Sequence, residues 1–410
     1  MWHRKTASDC GHDINRRVIM ESFSFYAPTY FEFGRGAEVK TGELIKRFGG
    51  SKVLLHYGGG SIKNNGVYGK VIAALSSAGI QFTELGGVKP NPRSGLVYEG
   101  IELAKKEGVD FILAVGGGSV IDSAKAIAAG VQYDGDFLDF YQGKAAIEDA
   151  LPIGVVLTIA AAGSEGSANS VITDEVNKIK KGARSDYLRP RFSVMNPEFT
   201  CTLPAYQTAA GATDIFIHVC ERYFSNTAEV SVTDRMCEAV MKTILYETPR
   251  VLRDPDNYEA RANIMWAGMI AHNNICGVGR EQDWASHHIE HELSALYDVT
   301  HGAGLAVIAP AWMKFVLEKH PEKFVPFATE VWGVPLDTIN PMETAMRGIE
   351  RFEAFLKQIG MPSRFSEIGA KKDDIPVMVD KIFAKKDTEG FYVKLTREDV
   401  TKIYESVADE

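Results

Sequence analysis

Residues 111–125 read Phe-Ile-Leu-Ala-Val-Gly-Gly-Gly-Ser-Val-Ile-Asp-Ser-Ala-Lys. An apolar run, three glycines and then small and apolar residues at helical spacing are typical of a buried strand, a tight turn and a helix. The same order occurs twice more: Val53–Tyr57 leads into Gly58–Gly60 and a helix, and Pro152–Leu157 leads into a small-residue turn at Ala160–Gly166. This repetition predicts a parallel α/β sheet with ligands at the carboxyl ends of its strands.

The pattern changes beyond Pro197, where apolar residues recur at helical spacing almost to the C-terminus. With 410 residues, the chain is long enough for two domains. We therefore predict a disordered leader (1–19), an α/β dinucleotide-binding domain (20–197) and an all-α metal and substrate domain (198–410), with the active site in the cleft between them. Loosely alternating aromatic residues in Ser22–Phe33 predict a half-buried antiparallel strand pair.

Composition excludes several classes of function. The formal net charge is −9 and no basic block is present, which argues against nucleic acid or an anionic membrane surface as a partner. No run approaches the roughly 18 apolar residues of a membrane helix, and Met1–Arg17 has no apolar core typical of a secretion signal. Five scattered cysteines indicate reduced thiols. A cytoplasmic location is expected.

A metal site is indicated by two segments of the second half. Asp214 and His218 are four residues apart, so they lie on one face of a helix whose intervening residues are apolar. His287 and His291 have the same spacing, and His301 follows a short turn. Buried carboxylates and imidazoles need partners, and this donor set suits Fe²⁺, Zn²⁺, Co²⁺ or Mn²⁺. Spacing alone leaves five candidates for four expected positions.

The glycine turns predict a nucleotide site, although the common G-x-G-x-x-G pattern is absent. A turn between strand and helix lets the backbone approach a phosphate, and the amides of the helix's first turn face the anion. The first turn has no carboxylate that would repel a 2′-phosphate, and Ser61 and Lys63 are nearby. NADP(H) is therefore expected in preference to NAD(H), with Gly58, Gly59, Gly60 and Ser61 as contacts.

From about Phe23 to the C-terminus, the chain resembles the iron-containing (group III) alcohol dehydrogenases, especially their butanol dehydrogenase-like branch. The resemblance rests on six motifs in order: Phe33-Gly-Arg-Gly, Tyr57-Gly-Gly-Gly-Ser-Ile-Lys, Gly116-Gly-Gly-Ser-Val-Ile-Asp-Ser-Ala-Lys, Gly163-Ser-Glu, Asp214-x-x-x-His218, and Asp283-Trp-Ala-Ser-His-x-x-x-His-Glu-Leu followed by His301-Gly. It implies a dehydroquinate synthase-like architecture. It also implies one divalent ion, Fe²⁺ or Zn²⁺, held by Asp214, His218, His287 and His301, with His291 beside it as a catalytic proton relay or a residue that orients a ligand.

The resemblance also implies the nucleotide contacts. Gly117, Gly118 and Ser119 would contact the pyrophosphate, and Asp122 would lie at the same site. Thr158 and Lys180 would hold the nicotinamide nucleotide, with Lys178 and Lys181 as alternatives to Lys180. The family's usual threonine before Gly-Ser-Glu is Ala162 here.

The implied function is hydride transfer between NAD(P)H and a short-chain aldehyde or primary alcohol, with the substrate oxygen polarised by the metal, in a homodimer. Glycerol dehydrogenase-like and dehydroquinate synthase-like enzymes of the same superfamily are the alternatives. Ile215, Phe216 and Ile217 beside the metal, with Val278 and Trp284 flanking the histidines, favour a small apolar substrate over a polyol or a carboxylated sugar.

Overall fold

The computed structural model describes residues 19–409, so the leader predicted for residues 1–19 lies outside the described residues except for Ile19. Six strands form a sheet in which every pairing is parallel, and its order is β1-β8-β5-β4-β2-β3. Two further strands, β6 and β7, form an antiparallel hairpin. The strand bounds are β1 Tyr30–Phe33, β2 Lys52–Tyr57, β3 Gln81–Leu85, β4 Phe111–Gly116, β5 Ile153–Leu157, β6 Asn169–Asp174, β7 Ile179–Arg184 and β8 Phe192–Met195.

Helices cover both faces of this sheet, which explains why β4 and β5 are buried along their whole length. Strands buried on both faces read as continuous apolar runs, as residues 111–115 do. The predicted parallel α/β class is confirmed. The helices of this half are α1 Thr41–Arg47, α2 Ser61–Asn64, α3 Val67–Ser77, α4 Ser94–Glu107, α5 Gly118–Val131 and α6 Leu138–Gln142.

The second half is helical, as predicted; apart from one bridge between Glu389 and Leu395, the structure describes no strand pairing in it. Its core is centred on α7 and α11, which are buried over most of their length. None of the helices within residues 19–409 is long and apolar enough to cross a membrane. The bounds are α7 Ala205–Tyr223, α8 Ser231–Arg253, α9 Tyr258–His272, α10 Ala285–Tyr297, α11 His301–Leu317, α12 Phe324–Pro326, α13 Pro341–Gln358, α14 Phe365–Ile368, α15 Ile375–Ile382 and α16 Arg397–Val407.

The antiparallel pair predicted for Ser22–Phe33 is wrong. Only Tyr30–Phe33 is a strand, and it pairs in parallel with β8 at the edge of the sheet. Its residues do not alternate in burial: the first three are partly buried and Phe33 is exposed. The preceding segment contacts the helical half, where the Glu21 amide donates to the Gly279 carbonyl at 3.0 Å.

Asn91 links the two halves of the chain. It lies in the loop between β3 and α4, with a positive φ of 52°. Its side-chain nitrogen donates to Asp298 Oδ1 at 3.0 Å and to the Val299 carbonyl at 3.3 Å, just before α11. Its side-chain oxygen accepts a hydrogen bond from Lys180 at 3.0 Å. These hydrogen bonds of Asn91 hold the loop after β3, at the carboxyl end of the sheet, next to the start of α11.

Candidate active site

Four side chains from three helices of the second half converge on one point. Oδ1 of Asp214 lies 3.3 Å from His218 Nδ1, 3.9 Å from His287 Nε2 and 3.8 Å from His301 Nε2. Asp214 and His218 share a face of α7, His287 lies in the first turn of α10, and His301 begins α11. The resemblance implied these four residues as ligands, and the fold brings all four together.

Three of these atoms have no hydrogen-bond partner although they are buried: Asp214 Oδ1, His218 Nδ1 and His287 Nε2. Buried polar atoms without partners are costly, so a set of them aimed at one point needs a common partner. One carboxylate oxygen and three imidazole nitrogens fit a divalent ion such as Fe²⁺ or Zn²⁺. Burial lowers the pKa of His218 well below its usual value, which keeps that ring in the neutral form that binds metals.

Glu221 orients His287 and was not found from the sequence. Its Oε1 accepts hydrogen bonds from His287 Nδ1 at 2.7 Å, from the His287 amide at 3.0 Å and from the Ser286 hydroxyl at 2.6 Å. With its proton on Nδ1, His287 presents Nε2 to the ion. Glu221 lies seven residues after Asp214, on the same helical face, and this spacing was the available signal.

Glu290 does the same for His301. Its Oε2 accepts a hydrogen bond from His301 Nδ1, and its Oε1 accepts one from the Ser294 hydroxyl. Lys180 Nζ lies 4.0 Å from Glu290 Oε2, which connects this carboxylate to the nucleotide half. A carboxylate on the outer nitrogen of a metal-binding imidazole fixes both its tautomer and its ring orientation.

The remaining two histidines of α10 differ in exposure: His288 is exposed, whereas His291 is partly buried. Nδ1 of His288 pairs with Glu389 at 2.8 Å. The His291 ring centroid is 5.6 Å from that of His301. Burial, assisted by the Lys180 ammonium, lowers the pKa of His291 well below its usual value. His291 therefore stands neutral beside the four candidate ligands.

One central cavity of about 1020 Å³ contains both the metal cluster and the glycine turns. Gly60 does not line it and instead precedes α2 as its N-cap. The predicted nucleotide contacts that do line the cavity are Gly58, Gly59, Ser61, Gly117, Gly118, Ser119, Asp122, Thr158 and Lys180.

Side chains on the second glycine turn would be crowded. A Cβ on Gly117 would come within 2.9 Å of the Ile159 side chain, and one on Gly118 within 3.1 Å of Ala162 Cβ. Gly117 and Gly118 line the cavity, so the backbone amides at the start of α5 can face a phosphate there. Ala162 lies against this turn and offers no hydroxyl.

Asp122 and Lys180 reach the cavity from elements held together by hydrogen bonds. Asp122 accepts from the Ser164 hydroxyl at 2.6 Å and from the Val171 amide at 3.0 Å, so its carboxylate anchors the β6–β7 hairpin. Of the three candidate lysines on that hairpin, Lys180 is buried, whereas Lys178 and Lys181 are exposed. The hairpin itself had no clear signal in the sequence.

The cavity wall next to the metal cluster differs from the sequence-based expectation. Ile215, Phe216 and Ile217 are fully buried in the core and do not line the cavity, and neither does Val278. Trp284 is the one member of the predicted apolar set that lines it. Four polar residues of this wall were missed: Arg222, His272, Asn274 and Gln282.

A glycine-lined nucleotide cavity that ends at a carboxylate and three histidines defines a class, the metal- and nucleotide-dependent oxidoreductases. Comparison with protein families agrees with this class. The model described as iron-containing alcohol dehydrogenase matches residues 28–197, and the model described as Fe-containing alcohol dehydrogenase family, C-terminal, matches residues 208–408. The chain belongs to the iron-containing alcohol dehydrogenase family, and its resemblance to the butanol dehydrogenase-like branch is confirmed.

Individual relatives cover nearly the whole chain. The probable NADH-dependent butanol dehydrogenase 2 of Bacillus subtilis is 42% identical over 386 residues, which are 94% of this chain and 99% of the relative. The NADPH-dependent aldehyde reductase YqhD of Escherichia coli is 35% identical over 366 residues, which are 88% of this chain and 93% of the relative. A crystal structure of NADH-dependent butanol dehydrogenase A from Thermotoga maritima superimposes with a TM-score of 0.92 at 45% identity, covering 96% of this chain and 100% of that one. This chain is an NAD(P)-dependent, metal-dependent alcohol dehydrogenase.

Proposed function

We propose that this enzyme interconverts short-chain aldehydes and primary alcohols, with Asp214, His218, His287 and His301 holding Fe²⁺ or Zn²⁺. The observation that carries this proposal is the set of unpartnered buried atoms at the metal end of a cavity that also contains the glycine turns. The names of the relatives, butanol dehydrogenase and aldehyde reductase, support the substrate class.

Each group has a separate task in this proposal. When bound, the ion supplies a Lewis acid for the substrate oxygen, and the nicotinamide nucleotide supplies or accepts the hydride. Gly117, Gly118 and Ser119 present the amides of α5 to the pyrophosphate. Thr158 and Lys180 are proposed to hold the nicotinamide end, because both line the cavity and Lys180 Nζ lies 4.0 Å from Glu290, the partner of His301.

His291 is the proposed proton carrier. In alcohol oxidation, an imidazole nitrogen of His291 accepts the hydroxyl proton, and in aldehyde reduction it returns that proton. Its position in the cavity wall beside His301 and its neutral state support this role.

NADPH is proposed as the preferred nucleotide. The turn after β2 has three glycines and no carboxylate, and Ser61 lines the cavity there. Lys63 lies on α2 and is half exposed, with its Nζ 4.0 Å from Glu84. Lys63 itself does not line the cavity, but it is a cation two residues from Ser61, so replacing Lys63 with alanine should lower kcat/KM for NADPH more than for NADH. The names of relatives divide, since the Bacillus protein is named for NADH and the Escherichia protein for NADPH. A wild-type enzyme with higher kcat/KM for NADH would contradict this preference.

The test of the whole proposal is oxidation of NADPH and NADH by aldehydes from acetaldehyde to hexanal. The protein is reconstituted separately with Fe²⁺ and with Zn²⁺, and its metal content is measured. We expect turnover only in loaded protein, and an Asp214→Asn variant serves as the unloaded control. Stoichiometric metal without nucleotide oxidation by any aldehyde would contradict the proposal.

We further propose a homodimer in the cytoplasm. The family resemblance supports the dimer, and light scattering of the purified protein tests it. The four cysteines within the described residues are free thiols, as is usual in a reducing compartment.

A further inference from the structure

Arg222 is a buried cation in the cavity wall. It lies on α7, one turn after His218, and only 2% of its surface is exposed. One Nη donates to the His218 carbonyl at 2.5 Å, and the other donates to His272 Nδ1 at 3.1 Å. The guanidinium carbon lies 4.6 Å from the centre of the Trp284 ring. All of these partners are neutral.

Arg222 has no directly bonded counterion, although the Glu221 carboxylate on the same helix contributes a favourable charge interaction. Within residues 19–409, no carboxylate forms an ion pair with it, and its Nε has no hydrogen-bond partner. By contrast, the buried Arg280 pairs with Asp234 at 2.9 Å. Burying an unpaired cation is costly, so a fold that keeps one in a cavity wall has a use for an anion there.

The position of Arg222 places that anion at the metal end of the cavity. The ring of its partner His272 is 4.3 Å from the ring of His218, measured between centroids. Trp284, which covers its guanidinium, is 5.2 Å from His287 on the same measure. The phosphates of a nucleotide belong at the glycine turns, on different elements of the first half. The anion that faces Arg222 is therefore part of the substrate.

We propose that the preferred substrate carries a carboxylate at the end remote from its aldehyde or alcohol group, and that Arg222 binds this carboxylate. The inference rests on the proposed function and narrows its substrate class to semialdehydes and the corresponding hydroxy acids. The free edge of a guanidinium matches a carboxylate in shape and charge. His272, Asn274 and Gln282 line the same wall and offer further polar contacts.

The reaction stays within the proposed chemistry. Hydride from the reduced nucleotide adds to the aldehyde carbon, and the former carbonyl oxygen gains one proton, which gives the hydroxy acid and the oxidised nucleotide. The carboxylate is unchanged and serves only for binding. Arg222 is thus a specificity-determining residue.

The experiment compares kcat/KM for succinic semialdehyde and for isocaproaldehyde, which has the same branched shape without the charge. Loaded wild-type enzyme should prefer the semialdehyde by about tenfold or more, the usual worth of a hydrogen-bonded charge pair. Arg222→Met should lower this ratio by about tenfold or more, and Arg222→Lys by less. Arg261→Met is the matched control, because Arg261 is also buried among neutral acceptors but does not line the cavity. Its ratio should equal that of wild type.

A wild-type ratio near one, or a ratio that Arg222→Met leaves unchanged, would overturn the inference while leaving the proposed function intact. Failure to turn over butanal and both test aldehydes would instead overturn the proposed function. If Arg222→Met does not fold, the wild type decides: kcat/KM for succinic semialdehyde should exceed that for its methyl ester, which keeps the aldehyde and lacks the remote charge. Equal kcat/KM for the two compounds would overturn the inference.

Discussion

At the scale of single residues, the proposed metal site should depend on two carboxylates that are not among its proposed ligands. Replacing Glu221 with glutamine keeps its volume but removes the charged acceptor of His287 Nδ1. We expect metal affinity to fall about 10–100-fold, the usual cost of losing such a partner. Titration with Zn²⁺ against a competing chelator measures it. Glu238→Gln, which alters a buried carboxylate bonded to Tyr223, is the control and should bind metal normally; equal affinity in the two variants would contradict the role of Glu221.

His291 is tested by separating metal binding from turnover. His291→Ala should keep its metal and lose about 10²–10⁴-fold in kcat, the range for a proton-transfer group. Elemental analysis and steady-state kinetics on the same preparation give both quantities. His288→Ala alters the exposed neighbour and should change neither. Loss of metal from His291→Ala would assign His291 to the metal site instead of proton transfer.

The sequence predicted individual site residues correctly where their spacing along a helix places them on one face. Four residues between two polar side chains define one face of a helix, and this placed Asp214 beside His218. Spacing does not show which face turns inward, so Ile215–Ile217 were read as cavity wall although they pack in the core. Arg222 follows His218 by four residues on the same helix, so the same spacing was available to place it beside the site.

At the scale of elements, the packing of α11 on α7 sets the distance between His301 and Asp214. A Cβ on Gly302 would lie 2.0 Å from the Ala210 carbonyl oxygen, a backbone atom that cannot move away alone. Gly302→Ala should therefore lower the free energy of unfolding by about 1–3 kcal/mol, the usual cost of overpacking, and reduce metal affinity. Denaturant titration measures the stability.

Gly69→Ala is the matched control for that change. Gly69 lies within α3, and a Cβ there would meet nothing within 4 Å. Alanine should stabilise this helix by about 0.5–1 kcal/mol, because glycine loses more backbone freedom on folding. Equal effects of the two substitutions would show that the contact between α7 and α11 is not tight.

His56 makes the sheet sensitive to acid. Its ring on β2 is fully buried, with Nδ1 donating to the Leu85 carbonyl and Nε2 accepting from the Ser123 hydroxyl, both at 2.9 Å. Burial lowers the pKa of His56 from 6.5 to about 4. The unfolded chain thus takes up a proton between these values while the folded chain does not, so stability falls as pH falls from 6.5 to 4 and this loss ends below 4.

The loss attributable to His56 should be about 3 kcal/mol. Urea unfolding in a chelator at several pH values, for wild type and His56→Gln, isolates it as the difference between the two curves. Identical pH dependence in both proteins would contradict the burial argument.

Prediction of elements succeeded for long repeated patterns and failed for short ones. The units that begin at β2 and β4 were placed correctly, because their strands are apolar and their glycine turns are distinctive. The unit at β5 was only partly correct, because the β6–β7 hairpin follows its turn where a helix was expected. The four residues of β1 carry too little pattern to tell a parallel edge strand from half of a hairpin. The β6–β7 hairpin was missed because β7 is rich in basic residues and lacks the apolar pattern of a strand. The sequence alone therefore gave no reason to pair β7 with β6.

For the whole molecule, the proposed ion would tie three helices together. Because its proposed ligands come from α7, α10 and α11, a metal that binds only the folded chain should raise the free energy of unfolding, by about 2.7 kcal/mol at a hundredfold excess over Kd. Thermal unfolding with and without Zn²⁺ measures the shift. Asp214→Asn should show a much smaller shift, and equal shifts in both proteins would place the stabilising ion elsewhere.

The contact made by Asn91 has a consequence for recombination. All four proposed ligands lie between residues 214 and 301, so a junction placed just before α7 would transfer a complete metal centre to another nucleotide half. The transplanted half would still meet its new neighbour at Asp298, Val299 and Glu290, the groups that Asn91 and Lys180 contact. The two halves of such a chimera should therefore fit together when the new nucleotide half has an asparagine and a lysine at the positions of Asn91 and Lys180. Nucleotide preference would then be exchanged by replacing the nucleotide half alone.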